Sequence, residues 1–243
     1  NIFEEHELKN NDIKDFSINS PIVGDAVRTL YDKYIQNKKD LALLADQMIS
    51  VKQEISGAME TDKPSADLIS DLLQSNNNYF AKLEEIANEE INLINFNLGN
   101  RLISMINHLK EKYSIKVDFA EEGFKESFVK KFIAEKNLLM ISNALPRDSK
   151  EFLIAHQIGL LTAKEAIETK LKSEGIMDKN TLALGKTVLA NYFASCMLMP
   201  YDDFCNAAKK YRYDIDMLSN RFDASFEQVC HRLTTLNKQN KKG

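Results

Sequence analysis

The stretch Glu151-Phe-Leu-Ile-Ala-His-Gln-Ile-Gly-Leu-Leu161 holds a histidine where zinc chemistry could be expected. A helix reading H-E-x-x-H places two imidazoles one turn apart on one face. The glutamate between them takes a proton from zinc-bound water. Here His156 holds the first position, Gln157 stands where the base should be, and Leu160 replaces the second imidazole. An amide does not accept a proton from water near neutral pH, and an alkyl side chain has no lone pair for a metal. Catalytic zinc sites use three protein ligands, so one remaining histidine is a poor start for hydrolysis. The segment points instead to a groove that binds a small molecule, with His156 and Gln157 facing it. The plain structural reading of His156 is a hydrogen-bonded interior histidine.

Upstream lies a basic group: Lys125, Lys130, Lys131 and Lys136, then Arg147 and Lys150. Phe128, Phe132 and Phe152 lie in the same stretch and could supply an aromatic slot. Cations beside an aromatic slot suit a ligand with phosphates and an apolar or ring-bearing part. A solvated sheet face would give the same pattern. Arg147 is the better phosphate candidate because its fork binds in a bidentate way. Further on, Asn191-Tyr192-Phe193 lies in an apolar run. Adjacent residues on a helix point about 100° apart, so one aromatic can pack inward while the other meets the groove. The amide of Asn191 needs a partner, from backbone or ligand.

These residues must be held by elements that the hydrophobic period reveals. Residues 1–20 are polar and read as an arm. From Asp25 to about Ile55, apolar positions recur at three- and four-residue steps, which predicts a long amphipathic helix. A second helical region is expected from Ser65 to about Ile94, interrupted at Ser75-Asn-Asn-Asn78. A third begins near Leu98 and ends near Tyr113. The period then changes. Ile115, Val117 and Phe119 alternate with Lys116 and Asp118, and Phe128–Ile133 and Leu138–Ile141 read as two further strands. The economical arrangement is a small three-stranded antiparallel sheet. Helices resume from Lys150 to about Ser173 and from Thr181 to Met199. Asp214 to Leu236 has helix-turn-helix spacing, and Ser225 with Gln228 forms a capping box. Acidic residues offset the basic ones there, so a DNA-reading role is not expected of it.

The 243 residues, 44% hydrophobic and 28% charged, describe a globular chain large enough for a real core. A net charge of -4 argues against nucleic-acid binding by the surface as a whole. The three cysteines show no C-x-x-C spacing and read as reduced thiols in a cytoplasmic protein. No apolar run reaches the roughly 18 residues of a membrane span.

From Asn95 onward the order is helix, three strands, a degenerate metal-site helix, and a helix ending in Met-Pro. This order resembles the ImmA/IrrE family of metallopeptidase-like domains. Ala190-Asn-Tyr-Phe-Ala-Ser-Cys-Met-Leu-Met-Pro200 is similar to that family's second signature helix. The closer resemblance is to its short-chain fatty acyl-CoA regulators, the RamB- and PrpR-like proteins. These carry F-x-x-A-H-Q-x-x-L-L, as Phe152 to Leu161 does, and Ser225-Phe-Glu-Gln-Val-Cys-His-Arg-Leu233 fits as well. The resemblance covers about 150 residues strongly. It implies an α+β, mostly α fold: long N-terminal helices over residues 1–94, a possible dimerisation region, then a degenerate zincin-like sensor domain over 95–243. It also implies that the position near Leu189, a glutamate ligand in active relatives, carries no carboxylate here. The expected function is the effector-binding region of a transcriptional regulator, not an enzyme, without metal or cofactor. Its ligand would be an acyl-CoA or fatty acyl group, held by Lys130, Lys131, Phe132, Arg147, Phe152, His156, Gln157, Asn191 and Tyr192. A homodimer is expected, with DNA reached only through a helix-turn-helix preceding Asn1. Two alternatives stay open: a metallopeptidase with unusual ligands, and an interaction scaffold with a filled groove.

Overall fold

The computed structural model describes residues 63–94, 99–120 and 129–239. The chain divides into two compact units, 1–52 and 53–243, and the described residues all belong to the second. The expected arm, the helix over 25–55, and the candidates Lys125 and Phe128 lie outside them.

Nine α-helices and three strands make up the described residues. They run α1 (Lys63–Ser75), α2 (Ala81–Ile94), α3 (Arg101–Tyr113), β1 (Lys116–Ala120), β2 (Lys130–Ile133) and β3 (Leu138–Ser142). After them come α4 (Arg147–Thr162), α5 (Lys164–Ser173), α6 (Lys179–Leu198), α7 (Tyr201–Lys210), α8 (Ile215–Phe222) and α9 (Phe226–Leu233). No single helix among them is long and apolar enough to cross a membrane.

The asparagine run splits the second helical region as its composition predicts. Asn77 and Asn78 take positive φ, 51° and 53°, a conformation that asparagine tolerates better than most residues. The expected helix from Lys150 to Ser173 is two helices. α4 starts three residues earlier, just after Pro146, and ends at Thr162, and α5 starts at Lys164 beyond the fully buried Ala163. The capping box forms as read: Gln228 N–H donates to Ser225 Oγ and Ser225 N–H to Gln228 Oε1.

The sheet differs from expectation. It is mixed, in the order β1-β3-β2, with β1 parallel to β3 and β2 antiparallel to it. The reason is in the strand chemistry. Leu139, Met140 and Ile141 are all buried, so β3 is covered on both faces and takes the centre. β2 turns into β3 through a single 3-10 turn, Ala134–Lys136, and occupies one side. β1 must then take the other side, and it runs parallel.

α6 is the axis of the fold. It is buried almost throughout its second half, and it packs against α4 on one side and against α1, α2 and α5 on others. Asp178 caps its start, accepting from the backbone N–H of Asn180 and Thr181, and the Thr181 hydroxyl donates to Ser65 of α1. α4 and α6 approach closely at Gly159. A Cβ placed there would lie 2.7 Å from Phe193 Cδ1, with two more ring-side atoms at 3.1 and 3.2 Å. Phe193 is itself fully buried and has little room to withdraw. Gly159→Ala is therefore expected to destabilise the fold by about 1–3 kcal/mol in chemical denaturation, as overpacking does. An unchanged midpoint would show that the two helices separate freely.

Candidate functional site

α4 carries the degenerate motif at the interface between the sheet and α6. His156 is buried at 8% exposure and Gln157 at 4%. β2 brings Lys130 to this point, with its Nζ 2.7 Å from His156 Nδ1. Two residues chosen from sequence 26 positions apart are thus in direct contact. Burial, reinforced by the Lys130 charge, pushes the His156 imidazole down to about 3. The ring is neutral at physiological pH. An ammonium has only hydrogens to offer, so Nδ1 supplies the lone pair and Nε2 carries the proton. Phe152 lies one turn earlier on α4, half-buried, and Phe132 stands on β2 at 38% exposure. Lys131 points outward from β2. Leu189, at the position of the missing carboxylate, is fully buried on α6. Among the described residues, no three His, Cys, Asp or Glu side chains gather where they could hold a metal.

The buried neutral imidazole makes stability depend on acid. In the unfolded chain His156 takes a proton near its ordinary value of 6.5, while in the fold it does so only near 3. Between those values the unfolded state binds the extra proton, so stability falls as pH drops below 6.5 and stops falling near 3. The expected loss is about 2 kcal/mol at pH 5 relative to pH 8. Urea titrations of the protein and of His156→Gln check this: the variant should lose less over the same range, and parallel curves would refute the assignment.

The remaining candidates are placed elsewhere. Arg147, at the start of α4, lies nine residues before His156, about 13 Å along the axis. Its Nε is 2.9 Å from Glu151 Oε1 and 3.9 Å from Asp223 Oδ2, so it works in an ion-pair cluster away from the imidazole. Lys150 is bound to Asn143 through its backbone oxygen and side chain, at 2.9 and 3.1 Å. Asn191 is on the exposed side of α6. Tyr192 faces away from α4. Its hydroxyl donates to Glu84 Oε1 at 2.8 Å and accepts from the Phe80 backbone N–H at 3.1 Å, while its ring meets Phe80 edge-on.

Tyr192 leads to charged groups that sequence reading missed. Glu84 and Arg232 form a fully enclosed bidentate pair, with contacts of 2.8 and 3.0 Å. Arg232 also donates to the Met199 carbonyl and to Thr235 Oγ1, at 2.9 and 3.1 Å, and reaches Cys196 Sγ at 3.5 Å. Burial holds the Cys196 thiol well above its ordinary value, so it stays protonated and inert. A second enclosed pair joins Arg101 of α3 to Glu151 of α4. Arg101 Nη1 donates to the carbonyls of Leu198 and Phe222, and Nη2 to that of Asp223. The neighbouring carbonyls of Leu198 and Met199, at the end of α6, are thus each held by a buried guanidinium. One comes from α3 and the other from α9. A signal for both was available. Glu84 sits on the apolar stripe of α2 with Leu83 and Ala87, and Arg101 on that of α3 with Met105 and Leu109.

Comparison with known proteins places this geometry. The sequence profile of the IrrE N-terminal-like domain matches residues 110–234, just over half of the chain. The HTH-type transcriptional regulator PrpR of Mycobacterium tuberculosis is 25% identical over 98% of this chain and 48% of its own length. The propionyl-CoA carboxylase regulator of Cereibacter sphaeroides is 38% identical over 45% of this chain and 24% of its own. The HTH-type transcriptional regulator RamB of Mycobacterium tuberculosis is 23% identical over 92% of this chain and 46% of its own. The chain therefore spans about half the length, or less, of the curated relatives it matches. A solved structure of a Mycobacterium tuberculosis transcriptional regulator superimposes with a TM-score of 0.68 at 27% identity, covering 72% of this chain and 53% of that one. The helix with one histidine, the strands beside it and the long buried helix ending in Met-Pro all fall within the matched range, and the chain belongs to the IrrE N-terminal-like domain family.

Proposed function

We propose that this chain is the effector-binding region of a bacterial transcriptional regulator, and that a fatty acyl-CoA or related acyl ligand binds beside α4. The observation that carries this reading is the state of the motif itself. His156 is neutral and engaged by an ammonium, and Gln157, Leu160 and Leu189 stand where a base and two ligands would act. Metal-dependent peptide hydrolysis needs ligands for a polarising cation and a base, and Gln157, Leu160 and Leu189 supply neither. Homology to regulators, one of them named for propionyl-CoA carboxylase, supports a sensing role. In this reading Lys130, Lys131, Phe132 and Phe152 join His156 and Gln157 at the ligand, while Arg147 and Tyr192 hold the frame. Residues 1–94 carry a dimer interface, and the regulator is cytoplasmic and reaches DNA through a separate domain.

Titration calorimetry with acetyl-, propionyl- and longer acyl-CoAs tests the proposal. Saturable heat with at least one of them is the expected result. Absence of heat across the whole series would overturn the acyl ligand.

A further inference from the structure

Gln157 is out of keeping with its place in the fold. It is more than nine-tenths buried, yet among the described residues its side-chain amide has no hydrogen-bond partner, and its polar atoms are not sealed from solvent. The same holds for Nε2 of the equally enclosed His156, whose other ring nitrogen is the one that meets Lys130. A buried carboxamide without a partner is costly, and an apolar side chain of the same size would avoid the cost. Both groups can be reached, so a ligand can complete their bonds.

Their arrangement defines what that ligand must offer. Adjacent residues point about 100° apart around a helix. Leu153 lies one turn before the pair and Leu160 one turn after, at three- and four-residue spacing from both, so they border the surface between the two polar groups. Both leucines are half-buried. The neutral imidazole holds its hydrogen at Nε2 and donates it, while the Gln157 carboxamide has an oxygen that accepts. A donor and an acceptor, neither of them charged, thus stand on either side of an apolar strip. A planar trans amide has the complementary form, because its C=O and N–H point in opposite directions. A carboxylate or phosphate has acceptors only and leaves the Gln157 oxygen opposed.

We propose that His156 and Gln157 together bind one secondary amide of the ligand, its carbonyl oxygen accepting from His156 Nε2 and its N–H donating to Gln157 Oε1. This rests on the reading of α4 as a ligand groove, and it names the part of the ligand that crosses the helix. In an acyl-CoA the secondary amides lie in the pantetheine arm, between the thioester and the phosphates. The arm therefore passes over α4 here, and the charged end lies away from it. A peptide carries the same group, and the test separates the two sources.

Calorimetry and NMR of the full chain, labelled with 15N in glutamine and histidine, supply the readout. One probe is S-propionyl-N-acetylcysteamine, a thioester with a secondary amide. The second is S-propyl thiopropionate, a thioester without one. The third is N-acetylalanine N-methylamide, which has amides and no thioester. The first should shift the Gln157 side-chain and His156 Nε2 resonances. The second should bind at least tenfold more weakly, roughly the loss of one or two hydrogen bonds, and leave the Gln157 side chain unmoved. In Gln157→Leu the two thioesters should bind alike, which a merely structural role for the amide would not bring about. Urea unfolding gives a second readout. The midpoint of Gln157→Leu should hold or rise, because the amide has no bond to lose. Gln157→Met, of nearly the same length, is the second variant.

Heat with propionyl-CoA, with Gln157 unmoved and equal affinity in Gln157→Leu, would overturn the amide site and leave the acyl-CoA reading intact. A Gln157 response to an amide probe, with no binding of any acyl-CoA, would support the site and overturn that reading. Binding of the capped alanine alone would then assign the amide to a peptide. Loss of stability in both variants, or a thioester preference that survives in them, sinks the amide site.

Discussion

Arg232→Leu is expected to lower the unfolding free energy by about 3–5 kcal/mol, the usual cost of removing one partner from a buried ion pair. The substitution strips the Met199 carbonyl and Thr235 of a donor and leaves the Glu84 carboxylate enclosed without its cation, held by the neutral Tyr192 hydroxyl and the Cys196 thiol. The pair spans 148 positions of sequence and ties α2 to α9. Its loss should therefore loosen both ends of the described fold at once. Glu84→Leu combined with Arg232→Leu should recover much of the stability, because well-packed apolar groups often replace a buried pair at little cost. Urea unfolding of the single and double variants gives the comparison. A single variant within about 1 kcal/mol of wild type would show the pair to be solvated.

The second large effect is expected at Arg101. Arg101→Leu leaves Glu151 at the core of α4 with only Arg147, whose side chain is 48% exposed. It also removes the donor from three carbonyls, those of Leu198, Phe222 and Asp223. A loss of about 3–5 kcal/mol is again expected. Arg147→Ala is the informative control. It removes a half-exposed partner of the same carboxylate, and such pairs contribute about 1 kcal/mol or less. Hydrogen exchange would locate the damage. With Arg101 gone, amides at the end of α6 and the end of α8 should exchange faster together. Equal effects of Arg101→Leu and Arg147→Ala would mean that burial does not distinguish the two arginines.

Periodicity and punctuation made much of this fold legible. The asparagine run, the change to period two after Tyr113, and the capping box at Ser225 each report local chemistry, and each appears in the structure. The sheet topology was harder. Three short strands allow several orders, and the deciding fact was that β3 is apolar on both faces. The run Leu138-Leu-Met-Ile141 does show this, but only if it is read as a central strand and not simply as one of three. The candidate site was legible where it depends on spacing, as at His156 and Gln157. It was not legible where it depends on direction. Tyr192 and Phe193 are neighbours in sequence, yet one meets α2 and the other α4, and no periodicity told which. Arg147 looked like a free fork for phosphate because its partner, Glu151, reads as an ordinary solvent-facing acid until Arg101 arrives from 50 residues away.

A small open sheet ends in two rows of backbone groups, and such rows can recruit a strand from another molecule. Here the outer strands are guarded: β1 bears Lys116 and Asp118, and β2 bears Lys130 and Lys131. An incoming strand would have to lie alongside these ionic side chains, Lys130 among them, which is already committed to His156. Among the described residues, association by strand addition is therefore disfavoured on both flanks of the sheet.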